Sequence, residues 1–464
     1  MPHFIATQKI TSRSAVIAMI ESFCVRNKKA FNIVHILAFI SFFILIAVPL
    51  FLPDPAENST AWNHLAIFAQ EAIWTVWFPL VFISVIFTGR SWCGLICPMG
   101  AASEWVNKLG PKLPIPRFIE WSGTPVVSFL VVTIWGQMVG IRNHPEALAW
   151  VFGITMLAAL MVGFLFGKNK RVWCRHMCPI GLMLGVFSRL GITTFTPKRP
   201  KSGPEQIVDK NVCPTRISLP YKKESRHCIA CFRCVSPCAK GGLFLDTRKS
   251  GKEIANITYN NPNLAEIIFL FLSTGLSIGG FMWLILPSYQ AIRQMFGNLC
   301  LKYDLTGLLL PGPSWLVSVH PERHEVLLWM DAVLISGYMV AWMCFVSALM
   351  AMVTYVITRI THKSSNKDFC KRFIEIGYHL IPVAMVSLLI GLGGNLFNVT
   401  GNLFLGKSIT SAIKITLILA SIIWGVQLCK QILREQKVVV SRMAILCSYV
   451  GNFMVASCWL PAIL

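Results

Sequence analysis

RSWCGLICPMGAASEWVNKLG, residues 90–110, returns later in the chain as RVWCRHMCPIGLMLGVFSRLG, residues 171–191. The copies align without a gap: Arg90 with Arg171, Trp92 with Trp173, Cys93 with Cys174, Cys97 with Cys178, Pro98 with Pro179, Gly100 with Gly181, and Leu109-Gly110 with Leu190-Gly191. Each copy closes an apolar hairpin. The first hairpin covers about 31–52 and 65–88, the second about 125–139 and 148–166. Hairpins of the same polarity that end in the same motif predict a parallel internal repeat of membrane spans.

Within each copy the cysteines stand one helical turn apart, so a continuous helix would put both sulfurs on one face. Pro98 and Pro179 suit the first turn of the amphipathic helix that follows. The thiols are thereby placed near a positive helix end, where thiol pKa is expected to fall. Packed side by side, the repeats would gather Cys93, Cys97, Cys174 and Cys178 into one four-sulfur site. Such a site suits a second iron–sulfur cluster, a metal ion or a redox-active dithiol pair.

A different cysteine pattern follows in CPTRISLPYKKESRHCIACFRCVSPC, residues 213–238. Cys228, Cys231, Cys234 and Cys238 have the bacterial ferredoxin spacing for a 4Fe-4S cluster, and in two-cluster ferredoxins the last cysteine of such a run serves the other cluster. A second run ending at Cys213-Pro214 would need cysteines where Gly203, Gln206 and Asp209 stand. The pattern is that of half a two-cluster ferredoxin, with Cys213 completing the triplet Cys228, Cys231 and Cys234. Cys238 is the alternative fourth ligand. Zinc sites usually take two separated pairs of ligands, so the triplet disfavours a zinc knuckle.

Composition says where these cysteines live. The 464 residues are 55% hydrophobic with mean hydropathy +0.62, and 13% are charged against roughly 25% in a soluble domain. That balance predicts an all-α polytopic membrane protein. Sixteen cysteines do not make a disulfide scaffold here, because such frameworks belong to small secreted chains. A net charge of +22 would suggest nucleic acid for a soluble protein. Here the basic residues lie between apolar spans as topology signals, and no nucleic-acid partner is expected.

The connection after the first span carries Asp54 and Glu57 and no Lys or Arg, as an outside loop should, whereas 168–252 is strongly basic. The amino terminus and the ferredoxin segment are therefore expected in the cytoplasm. Further spans are expected at about 264–286, 328–354, 374–396, 409–428 and 441–460. The reading is about nine transmembrane helices with a small cytoplasmic ferredoxin-like insertion and the carboxyl terminus in the periplasm. Its parts are 1–192 with the two hairpin repeats, 193–262 with the ferredoxin-like segment, and 263–464 with a bundle of about five helices. Between the fifth and sixth spans, 287–325 reads as a connection whose LTGLLLPGPSWL would lie in the membrane surface.

Other polar groups in or beside spans are candidates by position. Glu71 and Asp331, near the outer surface, would serve a proton or quinol site. His35 and His379 are haem candidates without an identifiable facing histidine. His176 and His227 read as tuning or surface groups, and Lys222, Lys223, Arg226 and Arg233 as docking or topology charge. The remaining cysteines read as small apolar residues.

The paired WCGLICPMGAASEW and WCRHMCPIGL, followed by the ferredoxin loop, resemble the NapH/NosR-type membrane polyferredoxins over about 31–244. The resemblance implies a bacterial inner-membrane electron-transfer protein, of a family that includes a quinol dehydrogenase component. Lipid, the quinone pool and a partner redox protein are its implied partners. Family members typically keep two ferredoxin clusters; here one ligand triplet is absent. The expected function is electron transfer between a quinol or cytoplasmic donor and a partner redox protein, as the electron-transfer subunit of a quinol dehydrogenase or reductase system. The alternatives are a metalloenzyme maturation factor that reduces or delivers a metal ion, and a redox-sensing regulatory membrane protein.

Overall fold

The computed structural model describes residues 15–53, 55–56, 59–168, 170–197, 212–235, 242–362, 368–402 and 406–463. Cys238 and the loop residues Asp54 and Glu57 lie outside the described residues. Long apolar segments fold as helices because, away from water, a helix satisfies its backbone donors and acceptors internally. Among the described residues, eight helices are long and apolar enough to cross a membrane: Lys28–Phe51, Leu65–Thr88, Pro145–Leu165, Leu264–Ile285, Trp329–His362, Phe369–Leu392, Lys407–Glu435 and Arg442–Ala462. The shorter apolar helix Thr124–Met138 pairs with Pro145–Leu165 as the second hairpin. The chain is a helical membrane protein. Pro98, Pro125, Pro145, Pro179 and Pro287 each stand in a first helical turn, where a missing N–H leaves no bond unmade.

The two hairpins exchange their ends. Helix Pro98–Asn107 of the first motif lies on span Pro145–Leu165 of the second hairpin. Asn107 Nδ2 donates to the carbonyls of Gly163 and Gly167, both at 2.7 Å. A Cβ added to Gly110 would stand 1.7 Å from Phe164 O, and one added to Gly191 would stand 3.1 Å from Val85 O. The Leu-Gly that closes each motif thus meets the other hairpin's span. Close backbone contact, which only glycine permits at Gly110, explains why the pair recurs in both copies.

A two-stranded ribbon closes the base of the ferredoxin-like segment. Thr193–Pro197 pairs antiparallel with Leu243–Thr247, with Phe195 opposite Leu245. Below it lies a knot of buried charge. Arg189, fully buried, donates to Glu266 at 2.8 and 3.0 Å, to Glu253 at 3.0 Å and to Asn260 O at 2.8 Å. Arg226 also pairs with Glu266, Arg248 with Glu253, and Tyr378 donates its hydroxyl to Glu266 at 2.9 Å. One ionic cluster therefore joins the second motif, the cysteine segment and the carboxy-terminal helices.

Leu264–Ile285 forms the central column of the carboxy-terminal half, packed against Trp329–His362 and Ile381–Leu392. Trp329–His362 has 34 residues, about 51 Å at 1.5 Å per residue. It outruns the expected end near Thr354 because Ile357, Thr358 and Thr361 stay buried. The segment after Leu264–Ile285 is also more ordered than its charges suggested. It holds the 16-residue helix Pro287–Lys302 and a short hairpin, Val319–His320 with Glu325–Val326. Leu305, Leu310 and Trp315 are exposed there, in keeping with the surface-lying patch.

Asp331 does not form a proton site with a free carboxylate. It is fully buried, takes two hydrogen bonds from Arg293 at 2.6 and 3.0 Å, and accepts Leu328 N–H at 2.9 Å. Both oxygens are thus occupied in holding the start of the Trp329–His362 helix. Glu71 accepts a hydrogen bond from Thr75, one turn on in its own span.

Breaking a fully buried ion pair from one side typically costs about 3–5 kcal/mol. Glu266→Ala, which strands Arg189, is expected to lose about that much stability, seen as a lowered thermal unfolding midpoint in detergent. An unchanged midpoint would remove the knot from this role.

Candidate metal centres

The two motifs adopt the same backbone at their second cysteine. Cys97 has φ −57°, ψ 116° and Cys178 φ −57°, ψ 121°, each just before a proline that starts a helix. The residue before proline is pushed out of the helical region, so the continuous helix expected from the spacing breaks here. Cys93 lies in the turn Ser91–Leu95 and Cys174 in the turn Trp173–Met177. Each turn is closed by the same bond, Cys97 N–H to Trp92 O at 2.9 Å and Cys178 N–H to Trp173 O at 2.8 Å. Cys97 and Cys178 therefore stand at the N-cap positions of the following helices, with the N–H groups of Gly100 and Met99 near the Cys97 sulfur.

The exchange of hairpin ends brings the four sulfurs of the motifs together. A Cβ added to Gly100 would lie 3.2 Å from Cys174 Sγ, and each of Cys97, Cys174 and Cys178 feels the charge of its neighbours. The expectation of acidic thiols fails. Burial pushes Cys97 up to about 11 and Cys174 to about 12, and raises Cys178 well above the ordinary thiol value. Crowding with other thiolates adds to the rise. Helix N–H groups and nearby arginines oppose it but are outweighed. Without a bound cation these three thiols stay protonated at neutral pH.

Two arginines flank the quartet. Arg171, 1% exposed, donates Nε–H to Glu104 at 2.7 Å and Nη1–H to Cys93 O at 2.8 Å. Glu104, also held by Arg233, is pulled down to about 2 by these two guanidinium groups against the cost of burial. Arg90, the aligned residue of the first copy, donates to Arg226 O at 2.6 Å, and its buried Nε and Nη2 have no partner. Sequence reasoning aligned these arginines but assigned them nothing. Their repetition beside each Trp-Cys was the available signal.

The other group forms around the ferredoxin loop. Cys213, Cys228, Cys231 and Cys234 line one small cavity together with Ile217, Leu219 and Phe232. Ala230 and Phe232 take φ of 50° and 57°, left-handed values that cost energy for residues with a side chain. These turns aim backbone N–H groups at sulfur, Ala230 at Cys228 and Arg233 at Cys231. Burial raises all three loop thiols. The strand carrying Cys213 is held by the second motif: Arg171 N–H donates to Pro214 O at 2.8 Å, and Arg175 donates to the carbonyls of Thr215 and Arg216. Of the basic loop residues, Arg226 and Arg233 pair with internal glutamates and Lys222 donates to Phe195 O. Of these four, Lys223 is exposed and unpaired among the described residues.

The groups of cysteines touch. A Cβ added to Gly94, between Cys93 and Cys97, would stand 2.0 Å from Ile229 O and 2.9 Å from Cys231 N. Glycine is required there because the ferredoxin loop lies directly on the first motif. Beside this contact opens a cavity of about 340 Å³ bounded by Phe31, His35, Leu95, Glu104, Trp105 and Arg233 among others. His35 is 4% exposed and its Nε2 has no partner.

The remaining histidines are accounted for differently. His379 is enclosed in the carboxy-terminal helices with Nδ1 on Ile376 O at 2.8 Å, so the structure does not assemble it with His35 as a haem pair. His176 and His227 are held down, to about 4 and about 2, first by burial and then by neighbouring arginines. His144, Glu146 and His320 bring a ligand atom each within 4.8 Å of one another. Both nitrogens of His144 are engaged, Nε2 with Glu325 at 3.0 Å and Nδ1 accepting from Arg323 at 3.2 Å, so neither is free to bind an ion.

The donor sets fit iron–sulfur clusters. Each offers four sulfurs from buried or half-buried cysteines, and around them stand N–H groups and, at Arg90, orphaned guanidinium donors suited to sulfur on an anionic cluster. A family model described as a 4Fe-4S binding domain matches residues 72–116 and 148–197. Those segments enclose both copies of the repeated motif and stop short of the ferredoxin loop. Ferredoxin-type protein NapH of Haemophilus influenzae is 29% identical over 238 residues, covering 44% of this chain and 78% of that protein. Ferredoxin-type protein NapH of Escherichia coli is 26% identical over 196 residues, 37% of this chain and 67% of that protein. Regulatory protein NosR of Pseudomonas aeruginosa is 25% identical over 186 residues, 34% of this chain and 26% of that protein. No solved structure matches.

Because the metal-free thiols hold their protons, iron loading must release them, and loading should strengthen as pH rises from 6 toward 9. In metal-free protein at pH 8, Cys97, Cys174 and Cys178 should alkylate far more slowly than exposed Cys370. Mass spectrometry of labelled peptides checks this, and equal rates would contradict the burial described here.

Proposed function

We propose that this chain, which belongs to the NapH/NosR-type membrane polyferredoxin family through its amino-terminal half, carries electrons from a quinol in the membrane to a partner redox protein. The observation that carries this reading is the contact at Gly94, where the loop between Cys93 and Cys97 lies against Ile229 and Cys231. Two cysteine quartets share that boundary. Cys213, Cys228, Cys231 and Cys234 would hold one 4Fe-4S cluster, and Cys93, Cys97, Cys174 and Cys178 another. Iron–sulfur clusters at these positions would supply one-electron exchange. The protein's part is to hold the sulfurs, exclude water and set the local charge.

The cavity at His35 supports a quinol as donor. It lies between the first span and the amphipathic helix Pro98–Asn107, at the end of the span that the motifs occupy. Phe31, Leu95 and Trp105 give one apolar side to a cavity otherwise lined by Lys28, Lys108, Glu104, Arg171 and Arg233, and Nε2 of His35, which has no partner, can accept a hydrogen bond from a hydroxyl. Asp331, engaged with Arg293, and Glu71, paired with Thr75, offer no comparable opening. The basic residues around the motifs support a cytoplasmic position for both quartets by the positive-inside rule.

Absorbance and EPR of anaerobically purified protein test the reading. Cys93→Ser with Cys174→Ser should remove one cluster signal, Cys213→Ser should weaken or remove the other, and both should stop quinol-driven reduction. A colourless, iron-free wild-type protein would sink the proposal. His35→Ala should slow reduction by quinol at least tenfold while leaving reduction by dithionite unchanged. Loss of metal delivery with an unaltered spectrum in the cysteine variants would instead point to a maturation factor.

A further inference from the structure

The arginines that the repeats hold in register are neutralised unequally. Arg171 is paired with Glu104 at 2.7 Å. The position that corresponds to Glu104 in the second repeat is Gly185. Against it packs the backbone carbonyl of Arg226, 2.9 Å from where a Cβ would stand. Arg90, 3% exposed, donates to that neutral carbonyl at 2.6 Å in place of a carboxylate. Its Nε and Nη2 are buried without a partner, and among the described residues no carboxylate pairs with it.

The free edge of Arg90 faces the cysteines. A Cβ added to Gly181 would lie 3.0 Å from Cys174 O, 3.1 Å from Cys178 Cβ and 3.4 Å from Arg90 Nη2, so the guanidinium and both cysteines of the second motif border the same gap. The charge of Arg90 is also felt at Cys174 and Cys228. A buried cation with unused donors is costly unless an anion completes it.

We propose that Arg90 is a positioning residue for the cluster held by Cys93, Cys97, Cys174 and Cys178, its Nε–H and Nη2–H groups directed at cluster sulfur and its uncompensated charge raising that cluster's reduction potential. This rests on the reading that the quartet holds a cluster. A fixed positive charge and hydrogen bonds to sulfur both favour the more negative, reduced state. Arg171 acts on the same sulfurs, with its charge partly offset by Glu104, which it shares with Arg233. Repeat symmetry alone would give two equal arginines, so the single unpaired one is a departure that the second repeat makes by placing glycine where the first has glutamate.

Potentiometric titration followed by EPR on the anaerobic full-length protein, with iron content measured alongside, tests the assignment. Arg90→Gln should shift the reduced-to-oxidised ratio at a fixed potential by at least tenfold toward oxidised, which for one electron is about 59 mV downward. Arg90→Lys should fall between that variant and the wild type. Glu104→Gln, by releasing the charge of Arg171, should move the potential upward. Arg90→Gln with full iron and a wild-type potential overturns the proposal. If Arg90→Gln loses iron, Arg90→Lys decides: iron retained with a potential lowered by less than about 59 mV supports it, and iron lost to the same degree overturns it, since charge would then not be what the site needs. A wild-type protein lacking the quartet's signal overturns the proposed function first, before any variant is compared.

Discussion

Arg171 cannot be buried alone. Taking a guanidinium out of water costs several kcal/mol unless carboxylate and carbonyl partners replace the solvent. Glu104 and Cys93 O do so from the first repeat, and the backbone N–H of Arg171 is tied to Pro214 O beside Cys213. Three stretches distant in sequence are thereby fixed around one side chain. The sulfur quartet, the ferredoxin loop and the contact at Gly94 all presuppose that arrangement, because each needs the two hairpins and the loop in one register.

The Arg189 knot extends the same logic toward the carboxy-terminal helices. Glu253 and Glu266 can be buried because Arg189, Arg226 and Arg248 surround them. Arg226 contributes twice. Its side chain joins this knot, and its carbonyl receives Arg90. A shift of the cysteine loop would therefore be felt both at the quartet and at Leu264–Ile285. The carboxy-terminal half acts as a rigid wall against which the cysteine-bearing half is set.

Much of this was legible in the chain. Span positions follow from uninterrupted apolar runs, and the ferredoxin crossing rule names Cys213, which lines one cavity with Cys228, Cys231 and Cys234. The doubled motif announced the quartet. What the sequence concealed depends on distant neighbours. Thiol acidity turned out opposite to the helix-end expectation because burial by the other repeat outweighs the local N–H groups. Helix Pro287–Lys302 was hidden by Arg293, whose charge is absorbed by Asp331 from another helix. The basic loop looked like a docking face until Glu104 and Glu266 proved to be its partners. Charges reveal their role only once the residues opposite them are known.

The exchanged packing of the hairpins has a consequence for assembly. Gly110 meets the second hairpin and Gly191 the first, so each hairpin end is completed by the other hairpin. On the ribosome the same geometry sets an order of events. The bonds of Asn107 to Gly163 and Gly167 can form only after the second hairpin has been synthesised, so the first motif reaches its final packing late in the life of the nascent chain.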